Sequence, residues 1–244
     1  MPRTLAAVAL APSLLFSPLA SASTVRQVRL VMGTTAEVEA SGNACSETAL
    51  IAAFAALGSV DERMSLWRDS ELSRLNDAGE ALLSEETLVV LRHALDVARA
   101  SGGAFDPTVE PLVRAAGGLG DPPRALSDAE RAALLARVGH ARVRLDGAAR
   151  RVTLAGGARL VLDGLAKGYA ADRALSALRS AGALTGLVNL GESSLGVFGE
   201  PLTLELRDPR GEGLPWGAFE VEDSSVSTSG GDQKPGHIFD PRTG

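Results

Sequence analysis

Leu162-Asp163-Gly164-Leu165-Ala166-Lys167-Gly168-Tyr169-Ala170-Ala171-Asp172 is the stretch on which the reading of this chain turns. A strand runs into a glycine-containing turn, and a helix follows from Gly164 to Ala181. A helix start of this kind aims free N–H groups toward an anion, and Lys167 adds a full positive charge. The stretch is not a P-loop, because the spacing G-x-x-x-x-G-K is absent. A plain helix start with a solvated lysine fits the same residues, so on local chemistry both readings stand.

Outward from this helix, the chain alternates between the two periodicities. Leu187 to Leu190 reads as a buried strand that ends in the turn Asn189-Leu190-Gly191-Glu192-Ser193-Ser194, and from Val197 onward strands and loops are expected. On the other side, Val143–Leu145 and Val152–Leu154 flank Asp146-Gly147 as a hairpin with a loop longer than two residues. Ser127 opens a helix with Glu130 as its capping-box partner. Ser84 to Ser101 is an amphipathic helix closed by Gly102-Gly103. Asp61 to Asn76 reads as a helix followed by a capped turn, and Ser46 to Leu57 as an Ala-rich helix. Val25 to Ala40 alternates like strands around Met32-Gly33-Thr34-Thr35. No repeat or linker divides this succession, so residues 23–244 are expected to form one mixed α+β domain.

Two further stretches hold polar residues that packing alone does not require. In Gly102-Gly103-Ala104-Phe105-Asp106-Pro107-Thr108-Val109, Asp106 stands before a proline that keeps the preceding backbone extended. Local chemistry favours Asp106 as a helix N-cap with Pro107 at the first helical position, over a ligand-facing role. The second is Ser227-Thr228-Ser229-Gly230 followed by His237-Ile238-Phe239-Asp240-Pro241-Arg242-Thr243-Gly244. Of the three histidines, His93 and His140 sit in helix and turn positions suited to surface or packing roles. His237 lies among loop residues and is the candidate for proton transfer near neutral pH.

Composition narrows the function classes. The 244 residues carry 24 Lys and Arg against 30 Asp and Glu, a net charge of −6, which disfavours phosphate-neutralising nucleic-acid binders. Cys45 is the single cysteine, so neither an internal disulfide nor a multi-thiolate zinc site can form. Aromatic residues make up 4%, too few for stacking platforms. Residues 1–22 read as a signal peptide: Arg3, an uncharged run from Leu5 to Ala20, then Ala20-Ser21-Ala22 with cleavage before Ser23. The run is shorter than the roughly 20 apolar residues of a bilayer span and contains Pro12 and Pro18. A periplasmic or otherwise exported protein is therefore expected.

Together these segments resemble the ApbE family of FAD:protein FMN transferases. The likeness runs from about Leu30 to Gly244 through Met32-Gly33-Thr34, Met64 to Asn76, Phe105-Asp106-Pro107-Thr108-Val109 and Asp163 to Arg173. It continues through Asn189-Leu190-Gly191, Thr228-Ser229-Gly230 and His237 to Gly244. The resemblance implies a T-fold-like α+β architecture. It also implies a magnesium-dependent reaction that moves FMN from FAD onto a threonine of an exported redox or respiratory acceptor protein, releasing AMP. Weaker alternatives are a non-catalytic flavin-binding protein and a hydrolase of FAD to FMN and AMP.

Carried across residue by residue, the resemblance places the backbone of Met32 against the flavin and Trp67 where many members have a tyrosine. Ala104, Phe105 and Asp106 line the adenosine or flavin pocket, which reverses the local preference for a cap. Lys167 lies beside the phosphates, a carbonyl of Gly164 faces the metal, Thr228 and Ile238 border the cofactor, and His237 is the base. Three departures stand out. The family's acid-Leu-Gly-Gly turn is replaced by Val161-Leu162-Asp163-Gly164, which moves the carboxylate two places along a strand, onto the same face, so Asp163 is expected to substitute. Glu192 replaces a glycine of the Asn-Leu-Gly-Gly turn. The family's closing strand and Ala-Asp-x-x-x-Thr helix start, whose Asp and Thr bind metal, have no counterpart up to Gly244. The 244-residue chain is accordingly expected to lack that strand and helix and to transfer slowly.

Overall fold

Alternation in Thr34–Gly42 puts Ala36, Val38 and Ala40 on one face, and all three are buried in the computed structural model. The structure describes residues 23–42, 47–120, 124–206, 208, 216–230 and 238–244. Thr34–Gly42 is β2, and it pairs antiparallel with β1 (Ser23–Val31) and β6 (Thr185–Leu190). β7 (Ser194–Phe198) and β10 (Ser225–Ser227) complete a five-stranded sheet in the order β1-β2-β6-β7-β10. β6 is half-buried rather than wholly so: Val188 and Leu190 face inward, while Leu187 and Asn189 turn to the other side.

Two helices cover the inner face. α1 (Glu47–Met64) buries Leu50, Ala53, Phe54, Leu57, Val60 and Met64. α6 (Asp163–Ser180) buries Ala166, Ala170 and Ala174 at helical spacing, and these small side chains let α6 lie close against α1 and the sheet. Gly196 in β7 shows how close: a Cβ there would sit 2.7 Å from Leu175 Cδ1. α3 (Glu85–Ala100) adds Leu88, Leu91 and Leu95 to the same core.

Around this core sit smaller pieces. α2 (Glu71–Ala78) leads into a three-stranded sheet, β3 (Glu80–Leu82), β5 (Arg151–Leu154) and β4 (Val143–Asp146), in the order β3-β5-β4. α4 (Glu110–Ala115), α5 (Asp128–Leu135) and a 3-10 turn, His140–Arg142, connect α3 to β4. β8 (Leu202–Leu206) and β9 (Gly217–Val221) form a separate ribbon. No helix among the described residues is long and apolar enough to cross a membrane. The signal-peptide reading of residues 1–22 lies outside the described residues.

Two expectations about elements need correction. Asp61–Asn76 is not a helix followed by a capped turn but the reverse: α1 ends at Met64, a turn follows, and Ser70 opens α2 with a capping box shared with Ser73. Nor does Asp106 cap a helix. α4 starts three residues later than expected of a Pro107-led helix, behind Val109 and with Pro111 inside its first turn, because Asp106 is occupied elsewhere.

Candidate functional site

Chain direction gathers the site at one end of the five-stranded sheet. The β1–β2 turn, Met32-Gly33, lies where β2 begins and β6 finishes. The β6–β7 turn lies beside it, with the Gly191 N–H donating to the Thr35 carbonyl at 2.8 Å. β10 ends there as well, and the Thr228 N–H donates to Ser193 O at 2.9 Å. α6 enters β6 through Gly182–Leu184 and so runs antiparallel to it, which brings the first turn of α6 to this same end. α1 runs back along β2 in the same way and delivers Met64 and the turn to Trp67.

Ser70, Ser84 and Ser127 each accept a hydrogen bond from the first turn of α2, α3 and α5, whereas Leu162, the residue capping α6, has no side chain able to do so, and neither has Val109 before the short α4. The outward N–H groups of α6 therefore keep their capacity for a ligand, and the helix dipole makes that ligand an anion. Lys167 is half-buried one turn on and has no ion-pair partner within 4.0 Å among the described residues. Asp163, the first helical residue, retains exposed surface, yet the protein atoms crowded around it raise its pKa above the usual carboxylate value. Lys167 pulls it the other way.

A lattice of buried hydrogen bonds fixes the approach to this helix. Asn76 Nδ2 donates to Leu160 O at 2.8 Å, and Leu160 N donates to Asn76 Oδ1 at 2.6 Å. The strand expected before α6 is absent, residues 155–162 being irregular with one isolated bridge from Arg159 to Val109, and the Val161 N–H donates to Pro107 O at 2.8 Å, tying this segment to the Phe105–Thr108 loop. That loop lays Phe105 across the helix start: a Cβ on Gly164 would stand 3.1 Å from Phe105 Cε2, so the ring and the glycine are matched.

Asp106 is the loop's anchor. Its Oδ1 accepts from Thr108 N at 2.9 Å and Thr108 Oγ1 at 2.6 Å, and its Oδ2 accepts from His140 N at 2.8 Å with His140 Nδ1 at 3.2 Å. With both oxygens engaged and the residue 4% exposed, any contact with a ligand is left to its backbone. Ala104 beside it is exposed. Trp67 is 66% exposed, with its ring over Gly120, where a Cβ would sit 2.8 Å from Cζ3.

The other expected residues fall as follows. Met32 holds φ 55, the left-handed region, at the tip of the first hairpin. Thr228 is exposed at the end of β10. Ile238 is 58% exposed and begins a segment whose Arg242 lies over Gly103 and whose Gly244 carbonyl is held by Arg131. His237 lies outside the described residues. Asp163 is not on a strand face, as the two-residue argument assumed; the chain has already turned into α6.

The metal expectation meets a physical obstacle. Gly164 stands in the first turn of α6, where N–H groups face out and carbonyls are committed to the helix ladder, so its carbonyl does not suit a cation. Among the described residues no three His, Cys, Asp or Glu side chains converge on one point to hold a metal ion. Hard cations take several oxygen ligands, so the donors present do not fit a protein-held magnesium. The packing role expected of His140 is the one it has, bonded to Asp106, but the partners of Asn76, Thr108 and His140 lie far along the chain, where no local pattern points to them. A cavity of about 400 Å³ between α1, α3 and α6 has its charges matched, Glu86 meeting Ser59, Arg63 and Arg173, and is no rival site.

Comparison with known proteins bears on this arrangement. The ApbE protein of Thermotoga maritima is 27% identical, with 91% of this chain superposed on 77% of that one at a TM-score of 0.82. The flavin transferase ApbE of Vibrio cholerae is 26% identical, covering 91% and 78% at a TM-score of 0.80. The Pseudomonas stutzeri flavinyl transferase ApbE, 24% identical at a TM-score of 0.78, shares the fold. No curated protein matches the chain. The model of the ApbE family matches residues 32–244, nearly everything the structure describes, and the chain belongs to that family.

Proposed function

We propose that this protein is a flavin transferase that uses FAD as its substrate and moves the FMN half onto an acceptor protein. The observation that carries the reading is the uncapped start of α6, with Lys167 beside it in no ion pair among the described residues and Phe105 packed on Gly164, in a chain of the ApbE family. Family membership and the likeness to a flavin transferase at 26% identity support the activity class.

In this reading the FAD diphosphate sits against the N–H groups of α6 and Lys167, which offset its charge as it grows in the transition state. The flavin extends toward the backbone of Met32, and the Ala104–Asp106 loop bounds the other half. A threonine hydroxyl of the acceptor attacks the FMN phosphorus, the bond to the AMP phosphate breaks, and AMP leaves. The hydroxyl proton passes to His237, the base the family resemblance supplies. No step is assigned to magnesium, since the donors at the helix start do not fit it. Cleavage before Ser23 releases the protein into the periplasm or another exported compartment, where its acceptor is an exported redox subunit.

The test uses purified protein with FAD and a threonine-bearing acceptor peptide, followed by in-gel flavin fluorescence over hours and by AMP release. A fluorescent acceptor band that disappears when the threonine is replaced by alanine supports transfer. FMN and AMP released with no labelled acceptor would contradict it and favour hydrolysis.

A further inference from the structure

From Arg124 to Arg151 the chain carries seven arginines, no lysine and three acids, within a protein of net charge −6. Two of these arginines are neutralised, Arg124 by Glu130 and Arg151 by Glu80. Arg131 is held by the main-chain oxygen of Gly244, and Arg137, Arg142, Arg144 and Arg150 have no carboxylate partner among the described residues. Such a stretch in an acidic protein is an electrostatic feature in its own right.

The fold turns part of it into a surface. Val143 and Leu145 pack on the core opposite Leu154 and Val152, so Arg144 faces outward. The Ala155 N–H donates to Arg142 O at 2.9 Å and extends the β4–β5 ladder by one pair, which puts Arg142 on the outer face with Arg144. Arg137 Nε donates to Gly157 O at 2.8 Å, and the Arg142 guanidinium lies against Gly156, so these two cations flank one loop. Both glycines hold positive φ, and a side chain on Gly156 would displace Arg142.

This face adjoins the flavin site. His140, two residues from Arg142, is bonded to Asp106, the neighbour of Phe105, and the Gly139 N–H donates to Thr108 Oγ1 at 2.6 Å. Guanidinium groups pair with carboxylates through two parallel hydrogen bonds, which suits an acidic protein segment.

We propose that the face formed by Arg137, Arg142 and Arg144 docks an acidic segment of the acceptor protein and so guides the target residue to the site. This rests on the flavin-transfer reading above. Arg137 is held by a backbone carbonyl rather than an acid, and Arg142 and Arg144 have no acid partner among the described residues, so all three stay available to a partner, and opposite charge on that partner speeds encounter by about 10- to 1,000-fold at low salt.

The test measures anisotropy of a fluorescein-labelled peptide rich in Asp and Glu, against a Gln/Asn peptide of equal length. FAD uptake is followed separately by flavin fluorescence. The acidic peptide is expected to bind and to weaken at least about tenfold between about 20 mM and about 300 mM salt, where screening shortens. Arg142→Glu with Arg144→Glu is expected to abolish that binding, Arg142→Gln with Arg144→Gln to weaken it, and both pairs to leave FAD uptake intact. Equal binding of both peptides, or unchanged binding by the Glu pair, would overturn the proposal. So would capture of phosphatidylglycerol vesicles without capture of the acidic peptide. Acidic-peptide binding in a protein that takes up no FAD would overturn the acceptor assignment alone, through failure of the flavin reading.

Discussion

Met32 and Glu192 hold φ values of 55 and 58, where a Cβ is unfavourable and glycine is at home. Both lie in turns at the site end of the sheet. Replacing Glu192 with glycine removes the left-handed strain but also loosens the unfolded chain, for a net gain of about 0.5–1 kcal/mol. Urea denaturation of Glu192→Gly should show a higher midpoint with an unchanged slope. Asp163 provides a second prediction. Its pKa is raised in the folded protein, so the unfolded state holds fewer protons, and the charged form weakens the fold as pH rises through the range just above the ordinary Asp value. Asp163→Asn should match the parent at the acid end of that range and be more stable than it at neutral pH, as a pH series of denaturation midpoints would show. At this scale the sequence displayed which residues carry charge but not what they touch. Asp106 looked like a cap because a carboxylate before proline usually is one; its actual partners, Thr108 and His140, include one 34 residues away.

Helices were the most legible elements, since Ser84 and Ser127 announce α3 and α5 by chemistry confined to one turn. The Met32-Gly33 turn was equally plain, because positive φ at both residues matches the right-handed twist of the joined strands. What stayed hidden was the bracing of α6, which depends on Asn76 reaching Leu160 across 84 residues. Asn76→Ala would leave the buried N–H and carbonyl of Leu160 without partners, at about 1–3 kcal/mol each when unsatisfied. A loss of about 2–4 kcal/mol is expected, together with weaker FAD binding, because the α6 start and the Phe105 loop share this support. Equal stability in the variant would mean that the bonds to Leu160 do not hold the helix start in place.

Across the whole molecule, the β1–β2 and β6–β7 turns and the end of β10 converge on one sheet end, and the first turn of α6 lies among them with its N–H groups uncapped. The α+β class followed from the succession of periodicities. Which end of the sheet carries the site did not, because that depends on strand order, and β6 lies beside β2 although about 140 residues separate them along the chain. In the proposed function the diphosphate of FAD is held at this helix start. Calorimetric titration of FAD and of riboflavin, which has no phosphate, into the parent protein and Lys167→Ala tests this placement. The variant is expected to bind FAD about tenfold more weakly, near 1.4 kcal/mol, with riboflavin unaffected. FAD affinity unchanged by the substitution, or an equal loss for both ligands, would contradict it.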